Sequence, residues 1–290
     1  MKILVTGGAG NVGGYVVEEL KRYHDVTILD VKPSGKHPEI PLIIADLTKL
    51  AEALSAVKGF DIVVHLAAIP NPSKDPGDRV LGVNVISTYH VLEAVRLNGI
   101  PRVIYGCSES ASGWGIHNVT LCPEYLPIDE EHPSWPHESY SLSKYIGEEM
   151  GRCYSKSYGF EFVSLRYTWV LFQEDKERLA PHFRAMQNPD VAKNAFLGSC
   201  VFAEDVAQAV RLSVDFQFPE GSRMEVFYIF QDSVSCAMDS LELAGVTFGS
   251  LPPIKDPAYF EKHPRGSLFD TRKAKRMLGY KPRHSHKEWL

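Results

Sequence analysis

Along the first 170 residues, short apolar runs rich in β-branched side chains alternate with longer stretches in which apolar residues recur every three or four positions. The runs Lys2 to Thr6, Val26 to Asp30, Pro41 to Ala45, Asp61 to Leu66, Arg102 to Gly106 and Glu161 to Arg166 mostly carry apolar residues on both faces, as do strands of a parallel sheet buried between helices. Helical spacing marks Val12 to Tyr23, Leu47 to Val57, Arg79 to Asn98 and Tyr140 to Ser157. Strand, helix, strand at this interval implies right-handed crossovers and predicts an α/β fold with a doubly wound parallel sheet, a Rossmann domain, over residues 1–170.

The pattern loosens afterwards. Pro252-Pro253 and Asp256-Pro257, a strand-like Val226 to Phe230 and helix-like Ala203 to Val214 and Thr271 to Leu278 predict a smaller C-terminal substrate-binding lobe over the sheet's carboxyl edge. That lobe is expected to occupy residues 171–290, with about 199–230 returning to the sheet domain. The stretch from Gly113 to Ser139, with Pro123, Pro127, Pro133 and Pro136, reads as a long loop before the Tyr140 helix, and loops of that length are often functional.

Composition narrows the class. The 290 residues are 44% hydrophobic and 23% charged with a net charge of -5, which gives no general affinity for polyanions, so no nucleic-acid partner is expected. The basic cluster at Arg272 to Arg276 is expected to be the solvated face of a late helix. Five cysteines without paired spacing argue against a disulfide framework, and eleven histidines without paired ligand spacing argue against a metal site. Met1 runs straight into an apolar strand and no run reaches the ~20 residues of a bilayer span, so a soluble, cytoplasmic protein is expected.

Candidate chemistry begins after the first strand. Thr6-Gly7-Gly8-Ala9-Gly10-Asn11-Val12-Gly13 satisfies both G-x-G-x-x-G and G-x-x-G-x-x-G, follows a strand and opens a helix. Such glycines let the chain turn tightly while the free N–H groups of the helix face a pyrophosphate. Asp30 closes the next strand, where a carboxylate accepts ribose hydroxyls and repels a 2′-phosphate, favouring NAD over NADP; Lys32 and Lys36 lie close behind and soften that repulsion. Asp46, before Leu47, is placed either to meet adenine or to cap the following helix. Tyr140 and Lys144 stand four apart, on one helix face, so the ammonium can sit near the phenol and lower its proton affinity.

Together with His65-Leu66-Ala67-Ala68, Asn84-Val85, Cys107-Ser108 and Tyr140-Ser141-Leu142-Ser143-Lys144, these motifs make the chain resemble the extended short-chain dehydrogenase/reductase family, which holds nucleotide-sugar epimerases, dehydratases and sugar dehydrogenases. The resemblance implies NAD as cofactor, bound by Gly7, Gly10, Asn11, Val12, Gly13, Asp30, Asp46, Leu47, Leu66, Ala67, Ala68, Asn84, Tyr140, Lys144 and Tyr167. It implies catalysis by Tyr140, Lys144 and a serine just after the fifth strand: Ser108, if Gly113 is the motif's closing glycine, or Ser110, if Trp114-Gly115 replaces an aromatic-glycine pair. It further implies a homodimer through the helices at 79–98 and 140–157.

Within the family, Glu109-Ser110 lacks the second acid of the dehydratases, and Arg166-Tyr167-Thr168-Trp169 lacks an amide usual in nucleotide-sugar epimerases. The pattern is nearest to uronate and free-sugar dehydrogenases, also through Leu278-Gly279-Tyr280-Lys281-Pro282. In that branch an arginine grips a substrate carboxylate, and Arg178 falls at its position, although its highly charged surroundings fit an ordinary surface arginine somewhat better; Pro70 replaces a substrate-binding serine. Ser108, Ser110, Tyr140 and Arg178 are therefore the candidate substrate contacts. The expected activity is oxidation of a sugar hydroxyl by hydride transfer to NAD, with a UDP-glucose 4-epimerase-like activity as the alternative and a non-catalytic dinucleotide sensor as an alternative of another class.

Overall fold

The computed structural model describes residues 1–70, 75–114, 121–192 and 197–290. Seven strands, β1 (Lys2–Thr6), β2 (Asp25–Asp30), β3 (Leu42–Ile44), β4 (Ile62–His65), β5 (Arg102–Ser108), β6 (Glu161–Tyr167) and β9 (Met224–Ile229), form one sheet in the order β3-β2-β1-β4-β5-β6-β9. Every neighbouring pair in it is parallel. Two short strands, β7 (Val170–Leu171) and β8 (Val201–Phe202), pair separately. The chain order reverses between β1 and β4, which opens a crevice at their carboxyl ends, the place where ligands bind in open sheets of this kind.

The helices are α1 (Asn11–Leu20), α2 (Leu50–Ala56), α3 (Gly77–Asn98), α4 (Ser139–Tyr158), α5 (Lys176–Ala185), α6 (Pro189–Ala192), α7 (Ala203–Val214), α8 (Ser240–Phe248), α9 (Pro257–Lys262) and α10 (Arg272–Met277). Successive strand side chains point to opposite faces. Ile3, Val5 and Ile28 therefore meet α1 and α7, whereas Leu4, Leu29 and Val63 meet the layer of α2 and α3. Helix α4 lies beside α3 and close on β5: a Cβ at Gly147 would stand 2.2 Å from the Tyr105 hydroxyl, so only glycine allows this approach. The closeness sets the depth of the α4 side chains that face the crevice.

A third apolar cluster, centred on Trp114, Tyr228, Phe230, Phe260, Leu268 and Phe269, joins the segment after residue 120 to residues 226–269. Here the chain is stitched by single bridges, Leu126 with Ile254 and Ile128 with Phe269, instead of ladders. Four short helices in the C-terminal part, α5, α6, α8 and α9, none longer than ten residues, were not expected from the pattern. Helix α7 packs on α1 and β9 extends the sheet beside β6. The basic run on α10 is not simply solvated, because Arg272 pairs with Asp256 and Asp270, Lys273 with Glu225 and Lys275 with Asp232.

Candidate active site

The turn after β1 is shaped by contacts between backbones. Gly7 sits at φ +70°, and a Cβ at Gly13 would stand 2.2 Å from the Gly7 carbonyl oxygen. Helix α1 begins at Gly10 without a side-chain cap, so its first N–H groups, at Asn11, Val12 and Gly13, stay open to an anion. Asp30 reaches across, its carboxylate accepting from the N–H of Ala9 at 3.1 Å and of Val31 at 2.8 Å. Glycines that a Cβ would fill, an uncapped helix start and an acid beside them fit a dinucleotide diphosphate and its ribose.

Residues behind the turn lock its far wall. Thr6 Oγ1 lies 2.7 Å from His65 Nδ1 and accepts the Ala67 N–H at 3.2 Å, and His65 Nε2 lies 3.1 Å from Thr88. Burial pushes His65 down to about 3, so the imidazole is neutral and acts as a rigid spacer. Leu66 and the Tyr167 hydroxyl converge over Gly106, where a Cβ would meet them at 2.7 and 2.8 Å. Buried Asn84 donates to Ser143 Oγ at 3.0 Å and to the Ile69 carbonyl at 3.1 Å, and accepts the Ile69 N–H at 2.8 Å, tying α3 to α4 and to the segment after β4.

Two expectations at this end need correction. Asp46 does not cap α2: its carboxylate accepts from the Thr48 N–H at 3.0 Å and hydroxyl at 2.7 Å, closing a turn at residues 46–48, so the helix starts at Leu50 after Lys49 instead of at Leu47. Lys36 does not lie free beside Asp30, because Glu174 holds it at 2.9 Å and also accepts from Tyr15.

The reaction centre lies where β5 ends and α4 begins. Glu138 caps α4 with a capping box, accepting the Tyr140 and Ser141 N–H groups, and this fixes where the first turn points. Tyr140, Lys144 and Glu148 then follow at four-residue steps along one buried face. The Lys144 ammonium donates to the Gly106 carbonyl at 2.7 Å and lies 5.9 Å from the Tyr140 ring centre. Ser108 lies close enough to Tyr140 to lower its phenol, and Ser110 donates to Ser108 Oγ through its hydroxyl at 2.9 Å and its N–H at 3.2 Å. Gly115, the second half of the aromatic-glycine alternative, lies outside the described residues.

Electrostatics at the centre differ from the simple expectation for Tyr140. Burial, followed by the neighbouring Tyr167 and Glu109, raises its phenol well above 10, whereas the nearby Ser108 lowers it. Lys144 does not reverse this, because burial pushes the lysine itself down to about 8 and its charge is turned toward Gly106. Glu109 is buried between β5 and β6: it accepts from Thr168 Oγ1 at 3.1 Å and from Ser108 Oγ at 3.3 Å, and burial raises it to about 8. Behind them Glu148 and Arg166 form a buried ion pair at 2.5 Å, with Ser164 and Tyr228 completing the bonds.

Arg178 does not join this group. It sits on the first turn of α5, its side chain 68% exposed, and pairs with Asp175 at 2.9 Å. Among the described residues, no three His, Cys, Asp or Glu side chains are grouped to hold a metal, and no helix is long and apolar enough to cross a membrane.

Residues 3–216 match the model of the NAD dependent epimerase/dehydratase family. The chain belongs to that family. The relatives that it matches are named as epimerases and dehydrogenases. A provisionally named UDP-glucose 4-epimerase of Methanocaldococcus jannaschii is 36% identical over 58% of this chain, and the match spans 55% of that protein, little more than half its length. An L-arabinose 1-dehydrogenase (NAD(P)(+)) of Haloferax volcanii is 36% identical over 64% of this chain and 76% of its own. Among solved structures, a short-chain dehydrogenase/reductase superfamily protein from Agrobacterium tumefaciens with bound NAD superposes with a TM-score of 0.72 at 24% identity, covering all of this chain and 95% of its own.

Against this family background, three groups at the site were not assigned roles from the sequence. Glu109 was weighed there only for the acid that does not follow it; its place between a strand-end serine and Thr168 depends on β5 and β6 being neighbours. Glu148 continues the four-residue step of Tyr140 and Lys144, a signal present in the spacing itself. The Glu174 bond to Tyr15 and Lys36 spans well over a hundred residues and leaves no local signal.

Proposed function

We propose that this enzyme oxidises a hydroxyl of an uncharged sugar, with NAD as hydride acceptor. The observation that carries the reading is the gathering of Tyr140, Lys144 and Ser108 where β5 ends and α4 begins, at the crevice beside the glycine turn. Tyr140 manages the hydroxyl proton, Ser108 orients the alcohol, and Lys144 fixes the floor of the site through Gly106. When bound, the dinucleotide supplies a nicotinamide carbon that accepts hydride. Asp30 selects NAD over NADP, and one of the two cations behind it, Lys36, is already held by Glu174.

Uncharged substrates are favoured over uronates because the one candidate for gripping a carboxylate, Arg178, is exposed and already paired. An epimerase begins with the same oxidation, but Tyr167-Thr168-Trp169 offers no amide for a nucleotide diphosphate. We also place a homodimer at α3 and α4, which expose Ile86, Tyr89 and Tyr158.

The test is NADH formation at 340 nm across free aldoses, uronates and nucleotide sugars. Net reduction with a free aldose, lowered about 10³-fold by Tyr140→Phe with NAD binding kept, is the expected result. Interconversion of nucleotide sugars without net NADH would replace this reading with the epimerase.

A further inference from the structure

Beyond β6 the chain makes a traverse that the reaction centre does not require. Tyr167 ends β6 with its hydroxyl over Gly106, and a few residues later Glu174 touches α1, the helix that follows β1. In the sheet order β1-β4-β5-β6 the two strands stand three spacings apart, about 14 Å. Residues 168–174 therefore run along the carboxyl edge from the reaction centre to the glycine turn, beside the path on which a dinucleotide reaches from one to the other.

This strap is firmly anchored at its root and lightly held at its tip. Val170 and Leu171 pair with β8, the Val201 N–H donates to the Trp169 carbonyl at 3.1 Å, and Leu171 is fully buried. The turn that follows, Gln173–Asp175, buries none of its residues. Its hold on the dinucleotide side is Glu174, whose one carboxyl oxygen accepts from the Tyr15 hydroxyl and whose other accepts from the Lys36 ammonium at 2.9 Å. Phe172 adds a ring contact with Tyr15 at 5.8 Å.

Both partners of Glu174 belong to the rim of the glycine cradle. Tyr15 stands four residues after Asn11 on the same face of α1, and a helical side chain leans toward the N-terminus, so its ring covers the turn that carries the open N–H groups. Lys36 comes from the segment after Asp30. Its stem lies against α1, where a Cβ at Gly14 would stand 2.8 Å from its Cδ, and its ammonium is 4.8 Å from the Tyr15 ring centre. His37 fastens the same segment by donating from Nε2 to the Gly14 carbonyl at 2.8 Å. The acidic tip of the strap is thus tied to two elements that are themselves fastened to each other.

We propose that Glu174 latches this strap across the rim of the cradle and sets the rate at which dinucleotide enters and leaves. Opening breaks one bond from a phenol and one ion pair whose side chains are 43% and 53% exposed. Contacts of that kind shift an equilibrium only several-fold, which suits a latch that has to yield at every turnover. Glu174 acts through the strap, so it is a positioning residue. The inference holds whichever alcohol is oxidised, because it concerns the dinucleotide alone.

The sign of the effect separates a latch from a bare charge. A carboxylate that only repelled a diphosphate would, once neutralised, let NADH stay longer; a latch, once broken, lets it go sooner. The test follows NADH fluorescence by stopped flow, with the full chain and no sugar. Glu174→Gln, which gives up the ion pair, is expected to raise the association and dissociation rates of NADH together, each about fivefold, leaving Kd within about twofold. Tyr15→Phe, which keeps the ring and gives up its hydroxyl, is expected to raise both about twofold. The gap between wild type and Glu174→Gln should close in about 0.5 M salt, where the exposed pair is screened. Slower release from Glu174→Gln, unchanged rates, or a change in one rate alone overturns the inference. Sugar oxidation plays no part in this measurement, so failure of the latch and failure of the substrate reading are seen apart.

Discussion

The dinucleotide turn and the reaction centre share the carboxyl edge of one sheet but are held by different forces. At the turn the shaping atoms are backbone: Gly7, Gly10 and Gly13 press on one another, and its side chains are few and small. At the centre the shaping atoms are side chains that ionise, buried and shifted: Tyr140 and Glu109 upward, Lys144 downward. A diphosphate wants a fixed cage of N–H groups, whereas proton transfer wants groups whose two protonation states are close in energy. The turn should therefore fail through sterics, insensitive to pH, and the centre through charge, with a pH signature.

The largest effect expected is at the ion pair behind the centre. Glu148→Ala leaves the Arg166 guanidinium buried and uncompensated, and should lower unfolding stability by about 3–5 kcal/mol in urea titration. Adding Arg166→Leu should recover a good part of that loss, since the burden is the unpaired charge. A loss below about 1 kcal/mol in the single variant would mean that the centre does not depend on paired burial at all.

At the turn, Gly13→Ala would put a methyl 2.2 Å from the Gly7 oxygen and 2.7 Å from the Gly8 Cα, atoms that no rotamer change can move. A stability loss of about 1–3 kcal/mol is expected, together with a more than tenfold weaker NAD affinity by calorimetry, equal at pH 6 and pH 9. A pH-dependent loss would erase the contrast between the two sites.

Much of this contrast was visible along the chain, unevenly. Strands β1, β2, β5 and β6 bury both faces, so their apolar runs report their position directly, and β1 falls at Lys2–Thr6 as expected. The glycine turn is a local motif, and so is the Tyr140–Lys144 step. What stayed hidden depends on neighbours remote in sequence. Glu109 becomes a buried acid only because Thr168 on the adjoining chain segment faces it, and Tyr140 is pushed upward only because α4 lies deep against β5. In the C-terminal part the expected helices at 203–214 and 271–278 and the strand at 226–230 are present, while α5, α6, α8 and α9 were missed, in a region whose core is aromatic side chains joined by isolated bridges with no period to detect.

Lys144 yields the smallest effect and the sharpest sign. Burial lowers its ammonium to about 8 in the folded chain against 10.5 when unfolded, so between those values the unfolded state binds the proton that the folded state has released. Stability from this group therefore rises as pH climbs from 8 toward 10.5 and is lost as pH falls back through 8. Below 8 both states are charged, and the full penalty of about 3 kcal/mol applies. Lys144→Met removes that penalty but also the 2.7 Å bond to the Gly106 carbonyl, worth about 1.5–3 kcal/mol for a charged donor. The variant should thus be more stable than the wild type by about 1 kcal/mol at pH 7, and less stable above pH 10, while losing turnover. Thermal melts at the two pH values read the crossing. An offset of the same sign and size at both would show that Lys144 is not held against its own charge, and that the reaction centre is no more strained than the glycine turn beside it.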